Sequence, residues 1–363
     1  MIPARPLRDP AVRRIALVRL RVGMGDLLAS VPALRALRAA RPDAEVVLIT
    51  WPETAPVVER MAAYVDELLP FPGYPGIPER PPDLDGLERF LAATRRRRFD
   101  LAVQMYGGQP SANEVTIRIG ARRTAGFFTP GAWPADLATH LPYPHRAHEI
   151  DRHLALVEFL GAGAGSRDLE FPLTAGDRAE AGRVLAADEV GPYAVVHPGA
   201  TAASRRWLPE RFGAVGDALA RRGLGVVVTG VTGEEDECGR TAAAMTAPVA
   251  NLVGATGLGG FAALVAGATL LVTNDSGPTQ LAAALGTPSV TIYLAGDPQR
   301  WAPFDRRRHR AVQAGVGCQP CPHQTCPIDH RCATGVSVER VVAEVDALLR
   351  SRPGVGTAAA PAP

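Results

Sequence analysis

Arg14-Ile15-Ala16-Leu17-Val18-Arg19-Leu20 runs into Val22-Gly23-Met24-Gly25-Asp26. Leu27, Leu28, Val31, Leu34 and Leu37 then recur at helical spacing before a second apolar run, Glu45 to Thr50. The first run is apolar and partly β-branched, which predicts a strand buried on both faces. The recurring leucines and valine predict a helix with one buried face. Strand, glycine loop, helix and strand within about 35 residues make a right-handed βαβ unit of a parallel sheet. Pro32 interrupts the helical pattern. Either the helix begins with Ser30 as N-cap and Pro32 in its first turn, or it begins at Asp26 and kinks.

Outward from this unit, residues 70–84 are rich in Pro and Gly and read as a loop. Phe99 to Met105 reads as a strand preceded by Arg95-Arg96-Arg97-Arg98, Glu149 to Leu160 as a helix, and Gly161 to Ser166 as a linker. A second alternating series follows. Its strands are Tyr193 to Val196, Gly225 to Thr229, Leu270 to Thr273 and Ser289 to Tyr293. Its helices are Phe212 to Arg222, Phe261 to Ala266 and Thr279 to Leu285. Two such series predict an α/β chain of two Rossmann-like, doubly wound domains facing across a cleft. The expected domains are 14–165 and 172–348, with 351–363 as a disordered Ala, Pro and Gly tail.

The 363 residues carry 39 basic and 37 acidic side chains, a net charge of +2 that excludes a dedicated nucleic-acid binder. No apolar run reaches the ~18–20 residues of a membrane span. Met1 to Arg14 lacks an apolar signal core, so the expected location is the cytoplasm. All 39 basic residues are arginine. An arginine in a place where chemistry favours lysine therefore reflects composition as well as function.

In doubly wound sheets ligands bind beyond the carboxyl ends of strands, and three loops there carry suitable groups. In the first, Gly23 and Gly25 allow close backbone approach, and Asp26 is either a general base or a helix cap. The Gly-x-Gly-x-x-Gly dinucleotide spacing fails, because Leu28 stands at its last position. The second loop, His197 to Trp207, holds Thr201, Ser204, Arg205 and Arg206. Hydroxyls and guanidinium forks suit phosphate oxygens, although two solvated arginines on a surface loop are the alternative. The third, Thr273-Asn274-Asp275-Ser276-Gly277-Pro278-Thr279-Gln280, opens an Ala-rich helix. The helix end is either a pyrophosphate seat or a purely structural cap.

Taken together, these segments resemble glycosyltransferase family 9, the heptosyltransferases of lipopolysaccharide core assembly. The resemblance rests on the strand, loop and helix from Ile15 to Pro42, on Pro198-Gly199 through Arg205-Arg206-Trp207-x-Pro209, and on Gly230-Val231-Thr232-Gly233-Glu234. Asn251-Leu252-x-Gly254, Asn274-Asp275-Ser276-Gly277-Pro278, Gly296-Asp297-Pro298 and Trp301-x-Pro303 follow in the family's order. It implies a GT-B fold and an inverting, metal-independent transfer of a sugar from a nucleotide-diphosphate donor, with heptose the commonest cargo. The acceptor would be a glycan or a lipid-linked glycan such as lipopolysaccharide core, reached in peripheral contact with the inner face of the membrane. Asp26 would be the catalytic base. Gly25, Thr201, Ser204, Arg205, Glu234, Asp275, Ser276, Gly277 and Gln280 would bind the donor, with Arg205 on the family's lysine position and Glu234 on the nucleoside. Gln280 stands where the family has histidine, and glutamine cannot carry a proton. Two rivals share this reading of the seat: a catalytically silent nucleotide-sugar binder, and a sugar-nucleotide epimerase or hydrolase of the same fold.

Metal-using transferases hold their cation with Asp-x-Asp. The one such triplet here, Asp83-Leu84-Asp85, lies in the Pro-rich stretch and is read as a chance occurrence. Cys238 is isolated and reads as structural. Cys318-x2-Cys321-x4-Cys326-x5-Cys332 is dense enough for a structural zinc site, with free or redox-labile thiols as the alternative. The cluster follows the last phosphate loop in sequence, so it is expected to serve stability and not turnover. No cofactor is expected for catalysis. The Arg95 to Arg98 run reads as a solvated helix end, an anionic acceptor or membrane surface being the alternative.

Overall fold

The computed structural model describes residues 4–132, 136–188 and 190–351, so the tail expected over 351–363 lies outside the described residues except for Ser351. The chain divides after Pro172 into two compact units. In the first, β1 (Arg14–Val18), β2 (Glu45–Thr50), β3 (Glu67–Pro70), β4 (Leu101–Gln104), β5 (Arg123–Phe128) and β6 (His140–Pro142) form one sheet in the order β3-β2-β1-β4-β5-β6. In the second, β7 (Tyr193–His197), β8 (Gly225–Val228), β9 (Ala250–Asn251), β10 (Leu271–Asn274), β11 (Ser289–Ile292) and β12 (His309–Val312) repeat that order as β12-β11-β10-β7-β8-β9. Every neighbouring pair is parallel. Each unit is thus a doubly wound Rossmann-like sheet. The winding reverses between β1 and β4 in one unit and between β7 and β10 in the other, which marks their carboxyl ends as ligand-binding edges.

Local chemistry explains the elements. β1 and β4 lie at the sheet centre and are buried throughout apart from Arg14, which is why they read as unbroken apolar runs. The predicted ambiguity at Pro32 resolves into two helices, Met24–Leu28 and Val31–Ala40, with Ser30 between them as N-cap of the second. Pro32 has no N–H to donate to the Leu28 carbonyl and its ring crowds that oxygen, so one continuous helix is excluded. Asp83 has a local purpose that the sequence reading missed. Its carboxylate accepts the Gly86 N–H at 2.9 Å and caps the helix Leu84–Arg97. The arginine run forms the last turn of that helix, where Arg97 pairs with Glu67. The stretch 161–172, part of which was expected to be a linker, packs on the first unit through Arg35, which donates to the Asp168 carbonyl at 2.9 Å.

The two cores are built alike. Trp51, Phe71 and Phe90 stack edge to face in the first, with centroids 5.1 and 5.9 Å apart. Trp207 and Phe212 do so at 5.1 Å in the second, where the Trp207 Nε1–H donates to the Ala333 and Val336 carbonyls.

Burial also isolates three histidines. His153, His197 and His309 are pushed down to about 4, chiefly by desolvation. Unfolded histidine titrates near ~6.5. Between that value and the native one the unfolded chain binds protons that the native chain refuses, so stability falls as pH falls. Calorimetric unfolding should lose about 2 kcal/mol or more between pH 7 and pH 5. A melting temperature flat across that interval would contradict the buried, neutral state of these rings.

Candidate functional site

In the second unit the loops after β7 and β10 are joined by one side chain. Asn274 is fully buried at the end of β10. Its Oδ1 accepts the Trp207 N–H at 3.0 Å and its Nδ2 donates to the Pro198 carbonyl at 2.6 Å. Both ends of the His197-to-Trp207 loop are therefore fixed to the strand that precedes Asp275, Ser276 and Gly277. Ser276 is the N-cap of the helix Gly277–Leu285, but its hydroxyl makes no cap bond and instead donates to the Asn274 carbonyl at 3.3 Å. In that helix's first turn Thr279 donates its N–H back to the Ser276 carbonyl at 3.1 Å, and Pro278 has none to offer.

The two loop arginines differ sharply. Arg206 donates from Nε to the Ala200 carbonyl at 2.7 Å and forms an ion pair with Glu237. Arg205 is half-buried, and its guanidinium pairs with no described carboxylate. Glu234 accepts the Val231 N–H at 2.9 Å, and its Oε2 lies 3.7 Å from His197 Nε2. Burial holds the Glu234 carboxyl above its ordinary range, with the Val231 N–H and Arg206 acting against that shift. Gly199 lies against this carboxylate so closely that a Cβ there would overlap it. Only glycine leaves Glu234 where it is.

Three expected donor residues take structural partners. Ser204 donates its hydroxyl to the His323 carbonyl at 2.6 Å, and its N–H to the Gln324 carbonyl at 2.9 Å. Gln280 donates from Nε2 to the Trp301 carbonyl at 2.6 Å, and its buried Oε1 meets no partner among the described residues. Asp275 is buried, its N–H donates to the Ile292 carbonyl at 3.0 Å, and its carboxylate packs against Gly296. Thr201 is exposed on the loop.

The four clustered cysteines are free thiols. Among the described residues no three His, Cys, Asp or Glu side chains come together as a metal site. Cys332 is the second residue of the turn Arg331–Thr334 and is buried in the core that holds Trp207, where burial pushes its thiol up and disfavours the thiolate a metal needs. The segment follows the last phosphate loop in sequence yet packs beside the loops. It is strapped to the β7 loop through Ser204 and to the end of β11, where Cys321 donates its N–H to the Ala295 carbonyl at 2.8 Å. Cys238 is buried with Sγ 3.5 Å from the Thr229 carbonyl, and its thiol is pushed up to about 12 by burial.

In the first unit, the carboxyl edge of β1 holds a cluster that sequence reasoning found only in part. Asp26 is the third residue of the helix Met24–Leu28, whose N-cap is Gly23, so it is not the N-cap residue itself. Gly25 is buried in the same turn. A Cβ at Gly23 would stand 2.6 Å from an Asp26 carboxylate oxygen, so glycine is required for the carboxylate to fold back over the loop. Behind it lies Arg19, buried to 1% exposure. Its Nη2 donates to the Asp26 carbonyl at 2.9 Å and lies 3.6 Å from the Asp26 carboxylate and 3.4 Å from Glu149. Its Nε donates to the Ser30 hydroxyl at 3.1 Å, and its Nη1 to the Met105 carbonyl at 3.0 Å. Glu149 is shared with Arg152 at 2.6 Å. Beside this network, Arg21 donates to Glu79 at 2.9 Å and lies over the Tyr106 ring at 4.4 Å. An arginine set in an apolar strand was the available signal for Arg19, but in a chain without lysine it did not stand out.

Comparison with known proteins bears on these edges. The sequence profile of glycosyltransferase family 9 (heptosyltransferase) matches residues 88–331. Lipopolysaccharide heptosyltransferase 3 of Escherichia coli (strain K12) is 27% identical over 291 residues, which span 77% of this chain and 82% of that protein. Among solved structures, a glycosyl transferase family 9 protein of Veillonella parvula superposes with a TM-score of 0.79 at 20% identity, over 94% of this chain and 99% of that one. E. coli ADP-heptose lps heptosyltransferase II gives 0.71 at 20% identity, over 93% and 98%. At such identities the two structures speak for the fold, that of the GT-B heptosyltransferases.

Proposed function

This chain belongs to glycosyltransferase family 9, and on that premise we propose that it moves a heptose from ADP-heptose to a sugar of the lipopolysaccharide core, inverting the anomeric centre without a divalent cation. The donor and acceptor classes come from similar proteins of E. coli, whose names carry ADP-heptose and lipopolysaccharide. The observation that carries the mechanism is the contrast between Arg205, whose guanidinium no described carboxylate neutralises, and Arg206, which pairs with Glu237 and the Ala200 carbonyl.

The chemistry divides between the units. Breaking the anomeric C–O bond puts positive charge on the sugar and negative charge on the leaving diphosphate. In this reading Arg205 and the N-terminus of the helix Gly277–Leu285 stabilise that diphosphate, replacing the cation that an Asp-x-Asp enzyme would use. Asp83, the candidate ligand for such a cation, is a helix cap. Glu234 receives the nucleoside hydroxyls. Asp26 takes the proton of the acceptor hydroxyl as that oxygen attacks the anomeric carbon. Ser204 and Gln280, expected among the donor-binding residues, hydrogen-bond the His323 and Trp301 carbonyls and in this reading serve also to hold the seat together. No described helix is long and apolar enough to cross a membrane. The proposed place of action is the cytoplasmic side of the inner membrane, where a lipid-linked acceptor is met peripherally.

Arg205→Ala should weaken ADP-heptose binding by about tenfold or more, since a charge-assisted hydrogen bond is worth about 1.5–3 kcal/mol. Arg206→Ala should instead lower stability, with a smaller effect on affinity. Equal losses of affinity in a calorimetric titration would remove the phosphate role from Arg205.

Asp26→Asn should bind ADP-heptose as the wild type does, while transfer to a heptose-deficient core acceptor falls by about 10²–10⁴. A variant that transfers within about threefold of the wild-type rate would end the base assignment. Wild-type protein inactive with this donor and acceptor pair would overturn the substrate reading.

A further inference from the structure

We propose that Arg19 is the positioning residue of Asp26, and that Glu149 sets the strength of the base by drawing off part of the Arg19 charge. This rests on Asp26 being the base. Charged groups around the carboxylate come from several elements. Arg19 comes from the end of β1 and Arg21 from the loop that follows, and both feel the Asp26 charge. Glu149, Arg152 and His153 come from the helix Glu149–Phe159. Glu79 and Tyr106 hold Arg21 from the far side, the Tyr106 hydroxyl donating to Glu79 at 2.8 and 2.9 Å.

Arg19 touches both ends of Asp26. One nitrogen, Nη2, donates to the Asp26 carbonyl and lies near its carboxylate. Ser30 closes a second path to the same residue, accepting from Arg19 Nε and donating to the Asp26 carbonyl at 3.1 Å. A guanidinium held at three nitrogens cannot rotate away, so the turn that carries the base is fixed. That is preorganisation of a catalytic group by a residue that does not reach the substrate.

The charge count then matters. Arg19 and Arg152 are positive, and Glu149 is the buried anion between them. Burial pulls the Arg19 guanidinium below its ordinary value, opposed by Asp26 and then Glu149. An uncompensated Arg19 beside Asp26 would hold the carboxylate in its charged form and make it a poor proton acceptor. In the step itself the acceptor O–H proton passes to an Asp26 oxygen, the freed oxygen pair forms the new bond to the anomeric carbon, and the old C–O pair leaves with the diphosphate. Neutralising Asp26 leaves a net positive pocket, and Glu149 reduces that cost.

The test is the pH dependence of kcat at saturating donor and acceptor, with ADP-heptose affinity and melting temperature measured on the same samples. Glu149→Gln should move the acid limb to lower pH by about one unit, because a nearby opposite charge favours ionisation. Its plateau rate should fall several-fold with donor affinity unchanged. Arg19→Lys keeps the charge and loses the fork, so the limb should stay within a few tenths of a unit while kcat falls by about tenfold. A purely structural role would lower the melting temperature and leave the acid limb in place. Folded Glu149→Gln and Arg19→Lys proteins with the wild-type limb and rate overturn the proposal. Should Glu149→Gln fail to fold, Arg19→Lys with wild-type kcat overturns it alone. Asp26→Asn, run in parallel, separates the two readings. If it is inactive while the others match wild type, the tuning fails and the base stands. If it is active, the base reading fails and takes the proposal with it.

Discussion

A guanidinium without access to water must be met by acceptors from the elements around it, and Arg19 imposes that requirement on the first unit. Its donors reach the turn after β1, the hydroxyl of Ser30 just before the next helix, the end of β4 and a carboxylate on the helix Glu149–Phe159. Each unmet donor would cost about 1–3 kcal/mol, more for a charged group. The arrangement of these elements is therefore tied to one side chain at the edge where the winding reverses. Arg152 repeats the pattern one step further in, donating to Glu149, to the Tyr143 hydroxyl and to the Pro144 and His145 carbonyls.

The second unit meets the same problem with a neutral group. Asn274 has a donor and an acceptor, and spends them on opposite ends of one loop. A neutral tie suits this place. A fixed cation behind the loop would compete for the diphosphate that Arg205 is proposed to meet, whereas an amide holds the backbone without adding charge. The strap of free cysteines adds a second tie from the outside, through Ser204 and the end of β11.

Much of this was legible in the sequence. The central strands are unbroken apolar runs because both faces are buried, and the glycine loops stand where the chain turns into a helix. The arginine end of the helix Leu84–Arg97 was read as a helix end, but its start was missed because it lies in a Pro-rich stretch, although Asp83 is an ordinary cap signal. At the candidate site, Asp26, the loop of Arg205 and the Ser276-Gly277 turn were marked by their places after strands, whereas Glu234 and the separate role of Arg205 were named through the family resemblance alone. Glu149 and Glu79 could not be named, because they reach Arg19 and Arg21 across long stretches of chain and no local pattern marks them, and Arg152 matters only as the i,i+3 partner of that Glu149. Ser204 and Gln280 lie on the loops expected to face the donor, but their hydrogen bonds turn to neighbouring backbone. Which polar atom meets a ligand and which meets a carbonyl is decided by packing.

A single displacement driven by a carboxylate base has one unavoidable stereochemical consequence. Attack on the face opposite the leaving diphosphate inverts the anomeric carbon. Proton NMR of the reaction with ADP-heptose and a heptose-deficient core acceptor reads that configuration in the new glycosidic bond. The predicted product has the anomeric configuration opposite to that of the donor. A product that retains the donor's configuration would require a glycosyl-enzyme intermediate or an ion-pair route, and would contradict Asp26 acting as the base in a direct transfer.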